Sequence, residues 1–557
     1  MEIAVEPAVP TYSGGLGVLS GDTVRAAADV CLPMVAVTLL YKQGFFHQRL
    51  EADGTQRESP ASWLPERYME RQTVRTRVSI EGREVVLGAW LYMVRGASGG
   101  MVPVYFIDAD LPENDQRDRE LTGQLYGGDQ RYRLAQEVLL GLGGPALLKA
   151  LGYRGIETFH MNEGHSALLT LSLLEDACGS NDISTAGDQE YAAVRSRSAF
   201  TTHTPVDAGH DRFSMHLVRE VVEPRLSEVI GRLPFIHDDL LNMTHLGLFF
   251  SRYVNGVARR HGEVAQAMHP GFDVKAITNG VHAATWASPA HAALFDREIP
   301  GWRVDNHYLR QANTLNLEHV IEAHARAKRE LMTEVQRRAN VRLDPHALTI
   351  GFARRAATYK RADLVFSNLD ALREVAKEAG PLQFVFAGKA HPADEPGKDL
   401  IRRVYSAADH LRNDVPVVYL EDYDMMLGRI LTAGVDVWLN NPVKPMEASG
   451  TSGMKAALNG VPSLSVLDGW WPEGWIEGVT GWSIGSGVEY EQDQSAEANS
   501  LYSKLRYVIL PLYYGSPNGY ARVMRSTIAI NGSYFTAQRM VQQYGQTAYD
   551  VTPQFAS

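Results

Sequence analysis

The sequence predicts an α/β protein with parallel sheets, divided over more than one domain. Two observations carry this. Short apolar runs alternate with amphipathic stretches, the pattern of strands joined by crossover helices. And 557 residues exceed what one hydrophobic core organises, so two or more domains are expected.

Taken in order, Tyr12-Ser-Gly-Gly-Leu-Gly17 leads through Val-Leu-Ser-Gly-Asp22 into a helical Thr23–Asp29. Pro33–Leu40, Met101–Ile107 and Ser198–Thr202 read as strands, the last ending at His203. A charged, amphipathic helix over Leu317–Ala339 precedes a second set of strands. That set is Leu348–Phe352, Leu382–Ala387, Val417–Leu420 and Val435–Leu439, alternating with helical stretches. Pro416 has no N–H for a ladder and marks the entry to the third of them. The stretch from Leu501 to Tyr549 reads as helices interrupted at Ser516-Pro-Asn-Gly519 and near Asn531-Gly532. A domain boundary is expected within 275–290, at the turn signal Asn279-Gly280.

Composition narrows the function classes. A net charge of -11 argues against a nucleic-acid surface. Two cysteines, Cys31 and Cys178, exclude a disulfide framework and suit a reducing cytosol. No apolar run reaches membrane-spanning length and no signal peptide opens the sequence, so a cytoplasmic protein with no membrane partner is expected. No spacing of His, Cys, Asp and Glu points to a metal.

Three segments carry chemistry. In Glu447-Ala-Ser-Gly-Thr-Ser-Gly-Met-Lys455, a Ser/Gly/Thr loop after a strand runs into a helix start. Backbone N–H groups there, with the positive end of the helix dipole, suit phosphate. The same residues also fit an ordinary strand-to-helix loop with a solvated lysine. In Arg354-Arg355-Ala-Ala-Thr-Tyr359-Lys360-Arg361, four cations follow a strand within eight residues. They repel one another unless an anion compensates, and clustered Arg and Lys match phosphate; a solvated basic loop is the alternative. The glycines of Ser13-Gly14-Gly15-Leu16 allow close backbone approach to a ligand or simply a turn. His203, after its strand, is either a satisfied structural histidine or a catalytic one. Trp470-Trp471-Pro-Glu473-Gly474 suits sugar contact or core packing equally.

Together these segments resemble the α-glucan phosphorylases, the glycogen and maltodextrin phosphorylase family, in its compact prokaryotic form. The carrying motifs are Glu447 to Lys455 with Leu458-Asn-Gly460, Arg354 to Arg361, Thr278-Asn279-Gly280, Phe200-Thr-Thr-His203-Thr-Pro205, Phe159-His-Met-Asn162-Glu163-Gly-His165 and the Gly14-Gly15 turn. Further similarity runs through Tyr513-Tyr514 and Ile530-Asn-Gly-Ser533, so the resemblance covers almost the whole chain.

The resemblance implies a GT-B fold: two doubly wound, Rossmann-like domains with an interdomain cleft, over residues 1–275 and 276–525. Residues 526–557 are expected to form a helical segment packing back on the first domain. It implies pyridoxal 5′-phosphate held covalently by Lys455, with Arg354, Thr451, Ser452 and Gly15 also cofactor-binding. Arg355 and Lys360 are expected to hold substrate phosphate, and His203, Glu447 and Asn279 to face the reacting glucosyl unit. Gly14, Leu16, Ala448, Ser449, Gly450 and Tyr359 are expected to line the substrate site, with Asn162, Glu163 and His165 behind it. The implied reaction moves the terminal glucosyl unit of glycogen or maltodextrin to inorganic phosphate, giving α-D-glucose 1-phosphate with retention. Family members are commonly homodimers. A nucleotide-sugar glycosyltransferase of glycogen synthase type needs no cofactor lysine, and an inactive glucan-binding relative needs no intact site. The segment departs from animal and plant members at Ala356-Ala357-Thr358. In compact relatives a strand ending in residues like Tyr-Phe-Ser precedes the Met-Glu-Ile-Ala segment. Here the sequence opens at Met1-Glu-Ile-Ala4: either this start is an internal methionine of a longer chain, or the first sheet lacks a strand it should contain.

Overall fold

A computed structural model describes residues 1–206, 209–485, 487 and 493–551. The chain forms two units: one of residues 1–46, 60–277 and 541–557, the other of residues 47–59 and 278–540.

Among its described residues the first unit holds a two-stranded antiparallel sheet, Arg212–Ser214 with Leu240–Asn242, and two larger sheets. In one, Ala36–Leu39 runs parallel to Met101–Asp108, which pairs antiparallel with the long strand Arg83–Arg95. That strand also takes Thr76–Ile80 and Glu70–Arg71 antiparallel. The other is all parallel, in the order 274–276, 253–256, 198–201, 159–162. Ala36–Leu39 and Phe159–Asn162 are thus each at the edge of a sheet. The N-terminal residues form no strand. Met1 to Val5 are buried, with the Met1 carbonyl accepting from the Thr38 hydroxyl at 2.6 Å. The expected strand from Pro33 begins only at Ala36.

In the second unit six strands form one parallel sheet in the order 417–420, 382–387, 348–353, 437–440, 463–466, 481–484. Every residue of Leu348–Ala353 and Leu382–Ala387 is buried, as strands covered on both faces must be. The fourth strand in sequence, expected over Val435–Leu439, covers Val437–Asn440 instead. Asp436 is diverted into a buried ion pair, its carboxylate accepting from Lys328 Nζ at 2.6 Å, His324 Nε2 at 2.8 Å and Thr349 N at 2.7 Å. These partners pin the helix Leu317–Ala339, which Asn316 caps through Glu318 N and left-handed Asn340 ends. The strand order reverses its winding between 348–353 and 437–440, and in open parallel sheets ligands gather beyond the carboxyl ends of strands at that point.

Residues 47–59 contribute a hairpin, His47–Leu50 paired with Gln56–Ser59, which belongs with the second unit. Its buried glutamines, Gln48 and Gln56, bond to the backbone of Gly388 and Ala390. The expected terminal segment 526–557 is shared. Residues 526–540 lie with the second unit, where Arg539 donates to the carbonyls of Thr278 and Asn279. Tyr544 and Tyr549 lie with the first, bonded to Asn255 and His160. Among the described residues, no helix is long and apolar enough to cross a membrane.

Candidate active site

In the second unit, the loops on either side of the winding reversal bring their charges together. Arg354 leaves strand 348–353 and its Nη2 donates to Glu447 Oε1 at 2.7 Å; Lys360 Nζ donates to Glu447 Oε2. Burial alone would push the Glu447 carboxyl up, but Arg354 and Lys360 outweigh it and hold it at about 2. Glu447 is therefore a fixed anion among the cations of the site. Tyr359 registers the same field. Burial would raise its phenol, yet Lys360, Arg355 and Arg354 lower it, and Lys360 Nζ lies 4.5 Å from the centre of its ring. Asp468 accepts from Glu447 N at 2.9 Å, and burial raises its carboxyl to about 6.

The four expected cations divide. Arg354 and Lys360 are buried against Glu447, and Arg355 is exposed. Arg361 instead ties the chain, donating to the carbonyls of Asn441 and Pro442 and pairing with Glu497.

Lys455 lies in the seven-residue helix Ser452–Leu458, 6% exposed, with Nζ 3.6 Å from the centre of the Trp286 ring. Asn459 fixes that pairing. Its Nδ2 donates to the carbonyls of both Trp286 and Lys455 at 2.9 Å, and its Oδ1 accepts from Ser288 N. Ahead of the helix, the Thr451 carbonyl accepts from Lys455 N, and Ser452 Oγ accepts from Trp438 Nε1 at 3.1 Å. Gly450 adopts φ 76°, and a Cβ there would lie 3.0 Å from Glu447 Oε1 and 3.5 Å from Arg354 Nη2, filling the space beside both. Ala448 is half-buried.

Among the buried polar atoms of this loop region without hydrogen bonds are Arg354 Nη1, Ser449 Oγ, Asn440 Oδ1 and Asn441 Oδ1. Buried polar groups ordinarily have a partner, and a bound ligand is one that would supply it here. A buried lysine on an aromatic face, an unmatched guanidinium N–H and a glycine-lined space suit a phosphorylated, lysine-linked group, so the residues fit pyridoxal 5′-phosphate. Asn279, also in this unit, has its Oδ1 buried without a partner and its carbonyl held by Arg539. Trp470 and Trp471 are 2% and 1% exposed, so they are core residues and not a sugar platform.

In the first unit, His203 is held at both ends. Its backbone N–H donates to Glu163 Oε2 at 2.7 Å and its Nε2 to Asn162 Oδ1 at 2.5 Å. Asn162 donates in turn to Ser20 Oγ at 2.9 Å, on the helix Gly15–Asp29. Of the turn residues, Gly15 is exposed and Gly14 and Leu16 half-buried. The Gly14 N–H donates to Glu2 Oε2 at 3.3 Å, so a protein carboxylate already accepts from it. His165 bonds Arg133 and Asp211, beside buried Glu137, in an ion-pair network.

Burial holds His160, His165 and His261 down at about 4 and His203 at about 3, against 6.5 for an ordinary imidazole. Groups whose folded value is depressed stabilise the fold fully above their unfolded value. That contribution drains as pH falls from about 6.5 towards 4, because the unfolded chain binds the protons. Glu163, raised by burial to about 7, works the other way, as do Glu137 and Glu175, which burial also raises, but these are three carboxyls against four imidazoles. The denaturant midpoint of the first unit is expected to fall between pH 7 and pH 5; an unchanged midpoint would contradict this.

Sequence reasoning found the cations and Lys455 but missed Trp286, Asn459 and Glu2. Asn459 closes the helix that carries Lys455, and its side chain is also the staple.

A family model described as carbohydrate phosphorylase matches residues 227–473. A protein named glycogen phosphorylase from Mycobacterium tuberculosis is 37% identical over 99% of this chain and 70% of its own. One named maltodextrin phosphorylase from Thermococcus litoralis is likewise 37% identical, over 99% of this chain and 70% of its own. A glycogen phosphorylase from Aquifex aeolicus is 32% identical over 96% of this chain and 83% of its own. With these matches spanning the chain and the cation–carboxylate–lysine arrangement in place, the chain belongs to the carbohydrate phosphorylase family.

Proposed function

We propose that the protein is an α-1,4-glucan phosphorylase. It would transfer the terminal glucosyl unit of glycogen or maltodextrin to inorganic phosphate, giving α-D-glucose 1-phosphate with retention, with pyridoxal 5′-phosphate as cofactor. The GT-B arrangement expected from the sequence is part of this proposal. The observation that carries it is the pairing of Arg354 and Lys360 with Glu447 beside the Gly450–Lys455 segment.

Lys455 would hold the cofactor, with Arg354 and the Thr451–Ser452 backbone at its phosphate. When bound, pyridoxal 5′-phosphate supplies a phosphate group able to exchange a proton with the substrate phosphate. Two neighbouring phosphates repel strongly, and the cations of this chain offset that repulsion. Arg355 and Lys360 would bind the substrate phosphate, Lys360 dividing its charge between that anion and Glu447. Glu447 remains ionised at neutral pH and would stabilise positive charge growing on the sugar. The roles given to His203, Asn279, Gly14, Gly15, Leu16, Ala448, Ser449 and Tyr359 by the family pattern complete the proposal.

The test is incubation with maltodextrin and inorganic phosphate, without nucleotide, and detection of α-D-glucose 1-phosphate by NMR. Turnover only with a nucleotide sugar would overturn the reading. Within it, Arg355→Ala should raise the KM for phosphate roughly 10- to 100-fold, the range for one lost charge-assisted hydrogen bond, while cofactor absorbance is unchanged. A phosphate KM equal to wild type would remove Arg355 from the phosphate site.

A further inference from the structure

The hairpin 47–59 belongs to the second unit although the chain on both sides of it builds the first. Its strands alternate so that Gln48 and Gln56, 0% and 4% exposed, point inward together. Every polar atom of these two amides is matched. Gln48 Nε2 donates to Gly388 O at 2.9 Å and to Gln56 Oε1 at 2.8 Å, and Gln48 Oε1 accepts from Asp422 N at 3.0 Å. Gln56 Oε1 also accepts from Ala390 N at 3.0 Å, while its Nε2 donates to Ala390 O at 2.9 Å and to Glu58 Oε1 at 2.8 Å. The pair thus acts as a surrogate strand edge for the loop that follows strand 382–387.

That loop is pressed against the backbone that carries the phosphate-site arginines. Arg354 N donates to Ala387 O at 3.2 Å and Ala356 N to Lys389 O at 3.0 Å, bracketing Arg355. Between those bonds Gly388, at φ 144°, comes so close that a Cβ would lie 1.9 Å from the Arg354 carbonyl. Tyr419 Oη donates to the same Gly388 carbonyl at 2.9 Å, and Lys389 Nζ pairs with Asp422 at 2.7 Å. The segment 354–356 therefore has its register set by 387–390, and 388–390 has its own set by two side chains from more than 300 residues earlier. A shift of about 1 Å in a positioning group is enough to cost a reaction on the order of 100-fold.

We infer that Gln48 and Gln56 are positioning residues for substrate phosphate, fixing Arg355 through the Gly388–Ala390 backbone. This rests on the phosphorylase reading for its kinetic arm and stands apart from it in its exchange arm. The variants are Gln56→Ala and the near-isosteric Gln56→Met in the full-length chain, with Arg49→Ala, on the exposed face of the same hairpin, as control. Expected results are a rise of roughly tenfold in the KM for inorganic phosphate, with the KM for maltodextrin and the cofactor absorbance within about twofold of wild type. Hydrogen–deuterium exchange should quicken in peptides covering 354–360 as well as 388–391, and Arg49→Ala should change neither. An unchanged phosphate KM in a variant that melts like wild type would overturn the inference. So would faster exchange confined to 388–391. If the wild-type protein makes no glucose 1-phosphate the functional reading fails, and the exchange comparison still decides whether the hairpin seats the arginine segment.

Discussion

Lys455→Ala should abolish phosphorolysis, by about 10⁴-fold or more, the upper end of what losing a proton-transfer group costs. The dialysed protein should also lose cofactor absorbance. The side chain is 6% exposed, lies on the face of Trp286 and has its helix stapled by Asn459, so its removal takes away the anchor without disturbing the sheet. The second measurement is the thermal midpoint with and without added pyridoxal 5′-phosphate. Wild type should be stabilised in proportion to cofactor and the variant much less, since binding to the folded state alone raises stability by mass action. Retained absorbance and turnover in the variant would overturn the assignment of Lys455.

The second large effect is on stability. Asp436→Asn keeps shape but leaves the Lys328 ammonium, 4% exposed, without its anion. Breaking a buried ion pair by removing one partner costs about 3–5 kcal/mol. Seven of the nine tryptophans lie in the second unit, so fluorescence during urea unfolding follows that unit. Its transition should move to lower denaturant by an amount matching this cost. The double variant Asp436→Asn with Lys328→Met should recover at least half of it, because replacing both partners removes the uncompensated charge. A single variant as stable as wild type would mean that Tyr513 Oη and Ala347 O, which also accept from Lys328, suffice alone.

The parallel strands of the second unit were legible because burial on both faces forces apolar runs such as Leu382–Ala387. Arg354, Glu447 and Lys455 were legible for a related reason: Arg354 follows such a run directly, and Glu447 and Lys455 lie in the loop and helix after the strand Val437–Asn440, where sheet topology puts ligands. What escaped were contacts between residues far apart in sequence or of the wrong polarity. Gln48 and Gln56 went unmarked because buried amides leave no hydrophobic trace when every atom is bonded. Trp286 is a buried tryptophan like others in the chain, and nothing local marks its face as the one under Lys455. The engagement of Gly14 by Glu2, and the diversion of Asp436 from the expected strand into an ion pair, depend on partners that no short-range pattern reveals.

The shared ownership of residues 47–59 bears on how this protein can be recombined. A chimera of two homologous genes joined at 277/278 would inherit its hairpin from one parent and the Gly388–Ala390 and Asp422 backbone groups from the other. Crossovers that carry 47–59 along with the downstream half keep both sides of that match from a single ancestor, and a library built on them should yield more soluble members than one cut at the single junction.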